Sequence, residues 1–231
     1  DRLAAVLAAI YLLYTEGHTA TSGDELGRVD LSSEAVRLGR VLSELMPDEP
    51  EAVGLLALLL LTEARREART APDGSMIRLA DQDRGRWDAG LIAEGRALVR
   101  ACRRRNSPGP FQVQAAIAAV HAEAASAEAT DWIRIVGLYD LLLAMRPTAV
   151  VALNRAVAIG ELHGAAAGLE AMGELDQDAL AGYQPFHAAR ADLLARAGSS
   201  DEASTAYARA IDLTTNLTER AFLQQQLDRL G

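Results

Sequence analysis

The residues best suited to chemistry lie in one short segment, IRLADQDRGRWD, which runs from Ile77 to Asp88. It contains three aspartates, three arginines, one glutamine and one of the two tryptophans in the chain. The sequence on both sides is rich in alanine and leucine, so the segment concentrates hydrogen-bonding groups. Its composition fits a site of chemistry, a surface that a partner recognises, or a segment that ties helices together.

The arginines of this segment are spaced to pair with its own carboxylates. We expect Arg84 and Arg86 to form two-point ion pairs with the neighbouring aspartates, with the Trp87 ring packed beneath them. That arrangement would close the segment over neighbouring helices. Arginine and tryptophan also dominate the energetics of many protein interfaces, so a docking surface is the alternative. Catalysis is disfavoured, because the segment offers aspartates but no nucleophile or tunable base.

Other candidates for catalysis or metal binding are weak. Glu16, Asp24 and Glu25 would cluster in the first predicted loop, but acidic side chains are mostly solvated. The four histidines are too far apart in sequence to predict a metal site. His121 and His187 fall on predicted helices and are interpreted as structural. We therefore expect no enzyme activity, no metal and no cofactor.

Charge and residue usage exclude several classes of function. A net charge of −9 disfavours binding of nucleic acid along the whole surface, so we expect no direct DNA binding. The basic run Arg100–Arg105 ends a predicted helix, where cations suit the helix dipole. All 23 basic residues are arginine, which excludes a Schiff-base lysine and the lysine-containing phosphate loop.

Cysteine usage and hydropathy indicate the compartment. Cys102 is the single cysteine, so the chain forms no internal disulfide and suits a reducing cytoplasm. Its apolar runs fall far short of the roughly 20 residues that span a bilayer. No signal peptide opens the sequence, and its first residue is Asp1 rather than methionine. We expect a cytoplasmic protein with a further N-terminal part.

Alanine and leucine dominate and aromatic residues make up only 4%, which favours helices over strands. Residues 1–16 predict a central, well-buried helix, because apolar residues occupy most of its faces. Asp30 or Ser32 is expected to cap the next helix. Pro47 is expected to end that helix, and Pro50 to open the following one. Asp88 is a candidate cap for the helix that restarts after Trp87. Near the end of the chain, the helical spacing of small residues predicts one helix face, formed by Ala203, Ala206, Tyr207 and Ala210.

Prolines recur in the second half of the sequence, at Pro110, Pro147 and Pro185, with spacings of 37 and 38 residues. Each proline opens a predicted pair of helices, and the spacing between prolines is comparable to the length of a tetratricopeptide (TPR) repeat. The sequence predicts an all-α fold, a right-handed array of antiparallel helix pairs that is TPR-like in its C-terminal half. We expect a helical region with two polar loops over 1–107. Residues 108–231 would form the repeats and a capping helix, on one continuous core.

Seven segments of the sequence, taken together and in order, carry a family resemblance. They are YLLYTEGHTATSGDELGRVDLSSEAVRLGRVLSELMPDEPEAVGLLALLLL, LADQDRGRWD, GPFQVQAAIAAVHAEA, TDWIRIVGLYDLLL, VVALNRAVAI, HAARADLLARAG and NLTERAFLQQQL. Together they resemble the C-terminal extension of a group of bacterial extracytoplasmic-function (ECF) sigma factors. That extension combines a DUF6596-type region with TPR-like helical repeats. The opening motif of the family reads nearer to YLLFNEGY, so Tyr14, Thr15 and His18 depart from it.

The resemblance implies a regulatory domain that modulates transcription initiation through protein contacts. The implied partners are the sigma domains of the same polypeptide, the RNA polymerase core and YCII-like (DGPF) proteins. A free-standing TPR-like peptide-binding scaffold and a small-molecule sensor are the alternatives. The family's distinctive polar segments correspond to Glu16–Ser32 and Asp81–Asp88, which we expect to lie close together. The candidate interaction residues are Glu16, Asp24, Arg28, Asp30, Asp81, Asp83, Arg84, Arg86 and Trp87.

Overall fold

A computed structural model describes residues 2–231, which form an all-α protein, as predicted. Two short strands, β1 (Ser22–Gly23) and β2 (Thr215–Asn216), pair in parallel, with Ser22 opposite Thr215. The helices of the described residues are α1 (Arg2–His18), α2 (Val29–Leu45), α3 (Pro50–Glu63), α4 (Ala89–Arg105), α5 (Pro110–Glu123), α6 (Trp132–Met145), α7 (Ala149–His163), α8 (Ala165–Gly173), α9 (Gln177–Leu180), α10 (Gln184–Arg196), α11 (Ser200–Leu213) and α12 (Leu217–Asp228).

The chain divides into two compact units. Unit 1 comprises the residues up to Thr21 together with Glu25–Asp131, and unit 2 comprises Ser22–Asp24 and Trp132–Gly231. Helix α5, which the sequence assigned to the repeats, packs against α3 and α4 within unit 1. The expected division into domains 1–107 and 108–231 stays a prediction.

Helix α3 forms the centre of unit 1. Leu55, Leu59, Leu60 and Leu61 are at most 1% exposed. Neighbouring helices α1, α2, α4 and α5 all pack against α3. A helix that is apolar on every face gains most when every face is covered, which explains its position.

Helix α1 is less buried than the sequence predicted. One face, with Leu7, Ile10 and Tyr14, is buried, whereas Leu12 is 67% exposed. The expectation of a central α1 was wrong, because the more uniformly apolar α3 occupies that place.

The predicted helix ends are partly confirmed. Pro50 opens α3, and the Asp88 side chain caps α4 by accepting from the Leu91 N–H at 2.9 Å. The expected cap of α2 was wrong. Arg28 stands at the N-cap position without a side-chain hydrogen bond, and Ser32 lies buried inside the helix.

Unit 2 contains the helix pairs that the repeat pattern predicted. Helix α7 packs against α6 and α8, and α10 packs against α11. Gly198, with φ +84°, ends the α10 segment in a left-handed conformation that glycine adopts without strain. Helix α11 buries one face, and α12 follows α11 in the sequence. The predicted face of α11 is confirmed, and its buried residues are Ala203, Ala206, Tyr207 and Ala210.

Candidate functional site

Two aromatic side chains at the end of α1 lie among charged groups of unit 1. Tyr14 and His18 stand one helical turn apart, with their rings stacked and their centroids 5.5 Å apart. Tyr14 is 2% exposed. Its hydroxyl donates to Oε2 of Glu63 at 3.3 Å and lies 3.5 Å from Nδ1 of His18. A polar chain therefore joins the end of α1 to the end of α3.

The carboxylate of Glu63 is the buried hub of this chain. Ser32 Oγ, on α2, donates to Glu63 Oε1 at 3.4 Å, and Arg66 Nη1 donates to the same oxygen at 2.8 Å. A buried carboxylate is tolerated only when such partners replace its water. The position of Ser32 inside α2 is thus explained by its bond to Glu63, which links α1, α2 and α3.

Burial keeps both aromatic groups uncharged near neutral pH. Burial raises the pKa of the Tyr14 hydroxyl well above its usual value, and the Glu63 carboxylate adds to that effect. Burial also lowers the pKa of His18 to about 2, and the positive charges of Arg69 and Arg65 lower it further. His18 is therefore a neutral imidazole that offers one donor and one acceptor nitrogen.

Arg69 connects the two polar segments that the sequence singled out. Its guanidinium donates to the backbone carbonyl of His18 and, at 3.0 Å, to Oγ1 of Thr19. The carbonyl of Arg69 accepts from the N–H of Ile77 at 2.7 Å. The start of each polar segment therefore contacts the same residue.

Arg84 anchors the segment IRLADQDRGRWD to the end of α5. Its Nη1 donates to the carbonyls of His121, at 2.6 Å, and Ala124, at 2.9 Å. Its Cζ lies 4.6 Å from the centroid of the Trp87 ring, in the range of a cation–π contact. The expected packing of Trp87 beneath an arginine is confirmed, but the expected ion pair of Arg84 with a neighbouring aspartate was wrong. The carbonyls at the C-terminus of a helix lack partners within the helix, and a cation there also suits the helix dipole, which favours Arg84 at this position.

Arg65 lies close to these groups and has no partner of its own. Its guanidinium is half-buried and makes no hydrogen bond or ion pair with any residue from 2 to 231. Burial lowers its pKa, and the positive charge of Arg84 adds to this, whereas Tyr14 acts in the opposite direction. Burial, together with Arg65 and Arg84, also lowers the pKa of His121 to about 4.

Arg65, Arg69 and Arg84, which we call the arginine cluster, leave positive charge in excess. Among the nearby carboxylates, Glu63 is already paired with Arg66, and Glu128, which acts on Arg84, is exposed to solvent. Arg69 donates to the carbonyl of His18 and Arg84 to that of His121, so the ends of α1 and α5 both contact the cluster. The arrangement is rich in donors and poor in acceptors, so it is suited to hold an anion.

The first polar segment places its predicted residues at the surface. Glu16 accepts from the Thr21 N–H at 3.3 Å, which turns the chain after α1. Asp24 lies in unit 2, where its carbonyl accepts from Oγ1 of Thr218 at 2.7 Å. Arg28 and Asp30 form an exposed ion pair at 3.5 Å. Such a pair contributes little to stability. The interaction roles of these four residues stay predictions.

The second polar segment exposes most of its predicted residues. Asp81 pairs with Arg78 at 2.7 Å, and Asp83 Oδ1 accepts from the Gly85 N–H at 2.9 Å. The Arg86 backbone N–H donates to the carbonyl of Asp83 at 3.1 Å, but its exposed guanidinium has no ion pair or hydrogen bond within the part of the chain that the structure describes. The expected ion pair of Arg86 with a neighbouring aspartate was therefore wrong as well. Trp87, at 6% exposed, is buried. Arg84 and Trp87 therefore anchor the segment to unit 1, whereas Asp81, Asp83 and Arg86 are exposed to solvent.

Sequence reasoning missed the groups that surround the arginine cluster. Tyr14, Glu63, Arg65, Arg69 and His121 were not among the predicted site residues. One signal was present, because the apolar run of α3 ends abruptly in TEARREAR. Charged residues that directly follow a buried helix begin close to the core and need partners there.

Tests for other kinds of site give no candidate in this part of the protein. No group of three or more His, Cys, Asp or Glu side chains among residues 2–231 is placed to hold a metal ion. None of the helices described combines the length and apolar character that crossing a membrane requires.

Comparison with known proteins finds a family match for the first part of the chain. Residues 2–103 match the Family of unknown function (DUF6596), which confirms the DUF6596-type region expected from the sequence. Over all 231 residues the chain is 46% identical to an uncharacterized protein of Rhizobium meliloti (strain 1021). The match covers 54% of that protein, so the chain spans about half the length of this relative.

Proposed function

We propose that this chain is the C-terminal regulatory domain of an ECF-type sigma factor. It would act by protein contacts with the sigma domains of its own polypeptide, with RNA polymerase or with a partner such as a YCII-like (DGPF) protein. Such a domain works in the cytoplasm and needs no enzyme activity. The support begins with the ordered resemblance of sequence segments along the chain, from YLLYTEGH to NLTERAFLQQQL.

The observation that carries the proposal is the match to a longer protein. The whole chain aligns at 46% identity with only 54% of that relative. A domain that occupies about half of a larger polypeptide leaves room for the sigma domains, which the resemblance expects before it.

The surface of unit 1 offers a contact region for this role. We assign the contact to Asp81, Asp83 and Arg86, which are exposed on a segment held in place from below by Arg84. A fixed backbone reduces the entropy lost on binding, so such a segment is better suited to recognition than a flexible loop. Arg86 has its full hydrogen-bonding capacity free for a partner carboxylate.

Calorimetric titration tests the proposal. The chain is titrated with separately expressed sigma domains of its own polypeptide and with core RNA polymerase. We expect binding to at least one of them, weakened about tenfold or more by Arg86→Glu. Arg103→Glu, which reverses an exposed arginine at the end of α4, is the matched control and should leave affinity unchanged. Absence of binding to both titrants would exclude the first two contacts, and absence of binding to a YCII-like (DGPF) protein as well would contradict the proposal.

A further inference from the structure

Most of the unused hydrogen-bonding groups around the arginine cluster are donors, although Gln82 Oε1, in the same polar segment, is a buried acceptor without a donor. Arg65 has an unpaired guanidinium, and the Nε1 of Trp87 is buried with no acceptor. Arg84 uses Nη1 for both of its carbonyl partners and leaves Nε and Nη2 without a bond among the described residues. Buried donors without acceptors are rare in folded proteins, and each costs free energy.

We propose that the arginine cluster is the binding site of a small oxyanion, a carboxylate or phosphate group held by Arg65, Arg84 and the indole N–H of Trp87. Guanidinium groups bind both anions through paired N–H donors. An oxyanion supplies acceptors to Arg65 and Trp87, whose side chains have none, and to Nε and Nη2 of Arg84.

Backbone geometry brings these three side chains together. The Asp88 N–H donates to the Ala64 carbonyl at 2.8 Å, which lays the chain at Trp87 beside the chain at Arg65. The Arg84 guanidinium lies over the Trp87 ring at 4.6 Å. Arg84 and Trp87 are therefore fixed before any ligand arrives, and little ordering is needed on binding.

Electrostatics favour an anion at this place. The positive charge of Arg84 acts on Arg65, and burial lowers the pKa of both guanidinium groups. The nearest buried carboxylate, Glu63, is occupied by Tyr14, Ser32 and Arg66. A second negative group would relieve the repulsion between the arginines, and its charge is only weakly screened at a half-buried site.

Burial restricts the ligand to a small molecule. Trp87 is 6% exposed and Arg84 and Arg65 are half-buried, so the flat surface of a folded partner cannot reach all three groups. The site is separate from the exposed contact residues Asp81 and Arg86. Binding of an oxyanion is therefore a property of the 231-residue chain alone and does not depend on its role in transcription.

A titration of the chain itself tests the site and distinguishes the two sources of oxyanion. Trp132→Phe leaves Trp87 as the single tryptophan, whose fluorescence then reports on the cluster. Inorganic phosphate and malonate are titrated separately, with sodium chloride at matched ionic strength as the reference. We expect a saturable change with phosphate, malonate or both, and none with chloride. The same titrations on the chain with both tryptophans, followed by the thermal midpoint, give a second readout.

Arg65→Gln is the decisive variant. The side chain has no partner to lose, so the variant should fold, and in chloride its thermal midpoint should equal or exceed that of the wild type. We expect its oxyanion affinity to fall about tenfold or more. Arg103→Gln is the control and should bind as the wild type does. A response to phosphate and malonate that is no larger than that to chloride, or saturation unaffected by Arg65→Gln, would overturn the proposal.

Discussion

The guanidinium of Arg84 lies over the ring of Trp87, with its Cζ 4.6 Å from the ring centroid, and this contact holds the polar segment to unit 1. The same side chain donates hydrogen bonds to two carbonyls at the end of α5, those of His121 and Ala124. Arg84→Gln should lower the free energy of unfolding by about 2–3 kcal/mol, because it removes hydrogen bonds from a charged donor and a cation–π contact. Urea denaturation measures the change.

Arg86 provides the matched control for that experiment. It lies two residues away, is exposed, and its guanidinium lacks partners among the described residues. Arg86→Gln should change the free energy of unfolding by no more than about 0.5 kcal/mol. Equal effects of the two substitutions would show that the segment is not anchored through Arg84.

The hydrogen bond between Tyr14 and Glu63 joins α1 to α3 and can be isolated by a double-mutant cycle. Tyr14→Phe should cost about 1 kcal/mol in unfolding free energy, because Glu63 loses one of its buried donors. In the background of Glu63→Gln the same substitution should cost measurably less. Tyr183→Phe, at a half-exposed tyrosine of unit 2, is the control and should be close to neutral. Additive effects in the cycle would contradict direct coupling.

The stability of unit 1 should fall in mildly acidic solution. Burial, with nearby arginines, lowers the folded-state pKa of His18 to about 2 and of His121 to about 4, both from 6.5. Below pH 6.5 the unfolded chain therefore binds protons at these two histidines that the folded chain does not bind. Stability is fully present above this value and is lost as the pH falls towards the folded-state pKa values. Each histidine should cost about 1 kcal/mol at about pH 5.5.

Substitution by glutamine identifies the groups responsible. His18→Gln and His121→Gln should each flatten the decline of unfolding free energy between about pH 7 and about pH 5.5. The groups that face them are Arg65, Arg69 and Arg84, which stay charged throughout this range. A slope that neither substitution changes would place the titration elsewhere.

Close packing between α7 and α8 in unit 2 depends on two glycines. A Cβ at Gly168 would lie 2.8 Å from the Cα of Gly160 and 2.9 Å from Cδ1 of Leu193. Gly168→Ala should therefore lower the free energy of unfolding by about 1–3 kcal/mol, because the helices must separate. Gly173→Ala, on the same helix with open space around its Cβ, should be neutral or slightly stabilising. Thermal denaturation distinguishes the two, and equal midpoints would contradict the close approach.

Local signals in the sequence predicted much of the fold. Pro50 opens α3 and Asp88 caps α4, and both act on the backbone within one turn. The small residues of α11 form its buried face because their helical spacing is itself visible in the sequence. The centre of unit 1 was harder to assign. Both α1 and α3 are apolar, and only tertiary packing decides which of them is covered on every face.

The site was less predictable because its contacts join residues far apart in sequence. Tyr14 and Glu63 are separated by 49 positions, and Arg84 and His121 by 37. Periodicity describes one element at a time and carries no information on such pairs. Local reasoning therefore paired Arg84 with neighbouring aspartates, whereas the fold offers it the unsatisfied carbonyls at the end of α5.

Transcription in vitro with core RNA polymerase is the most direct test of the regulatory role. The complete polypeptide is compared with a version from which the 231 residues of this chain are removed, on the promoter that controls its own gene. The account predicts that removal changes the initiation rate by more than about fivefold, in either direction, as expected for a coupled regulatory domain. Arg86→Glu in the complete polypeptide should move the rate in the same direction. Equal initiation by the complete and shortened polypeptides would contradict the account.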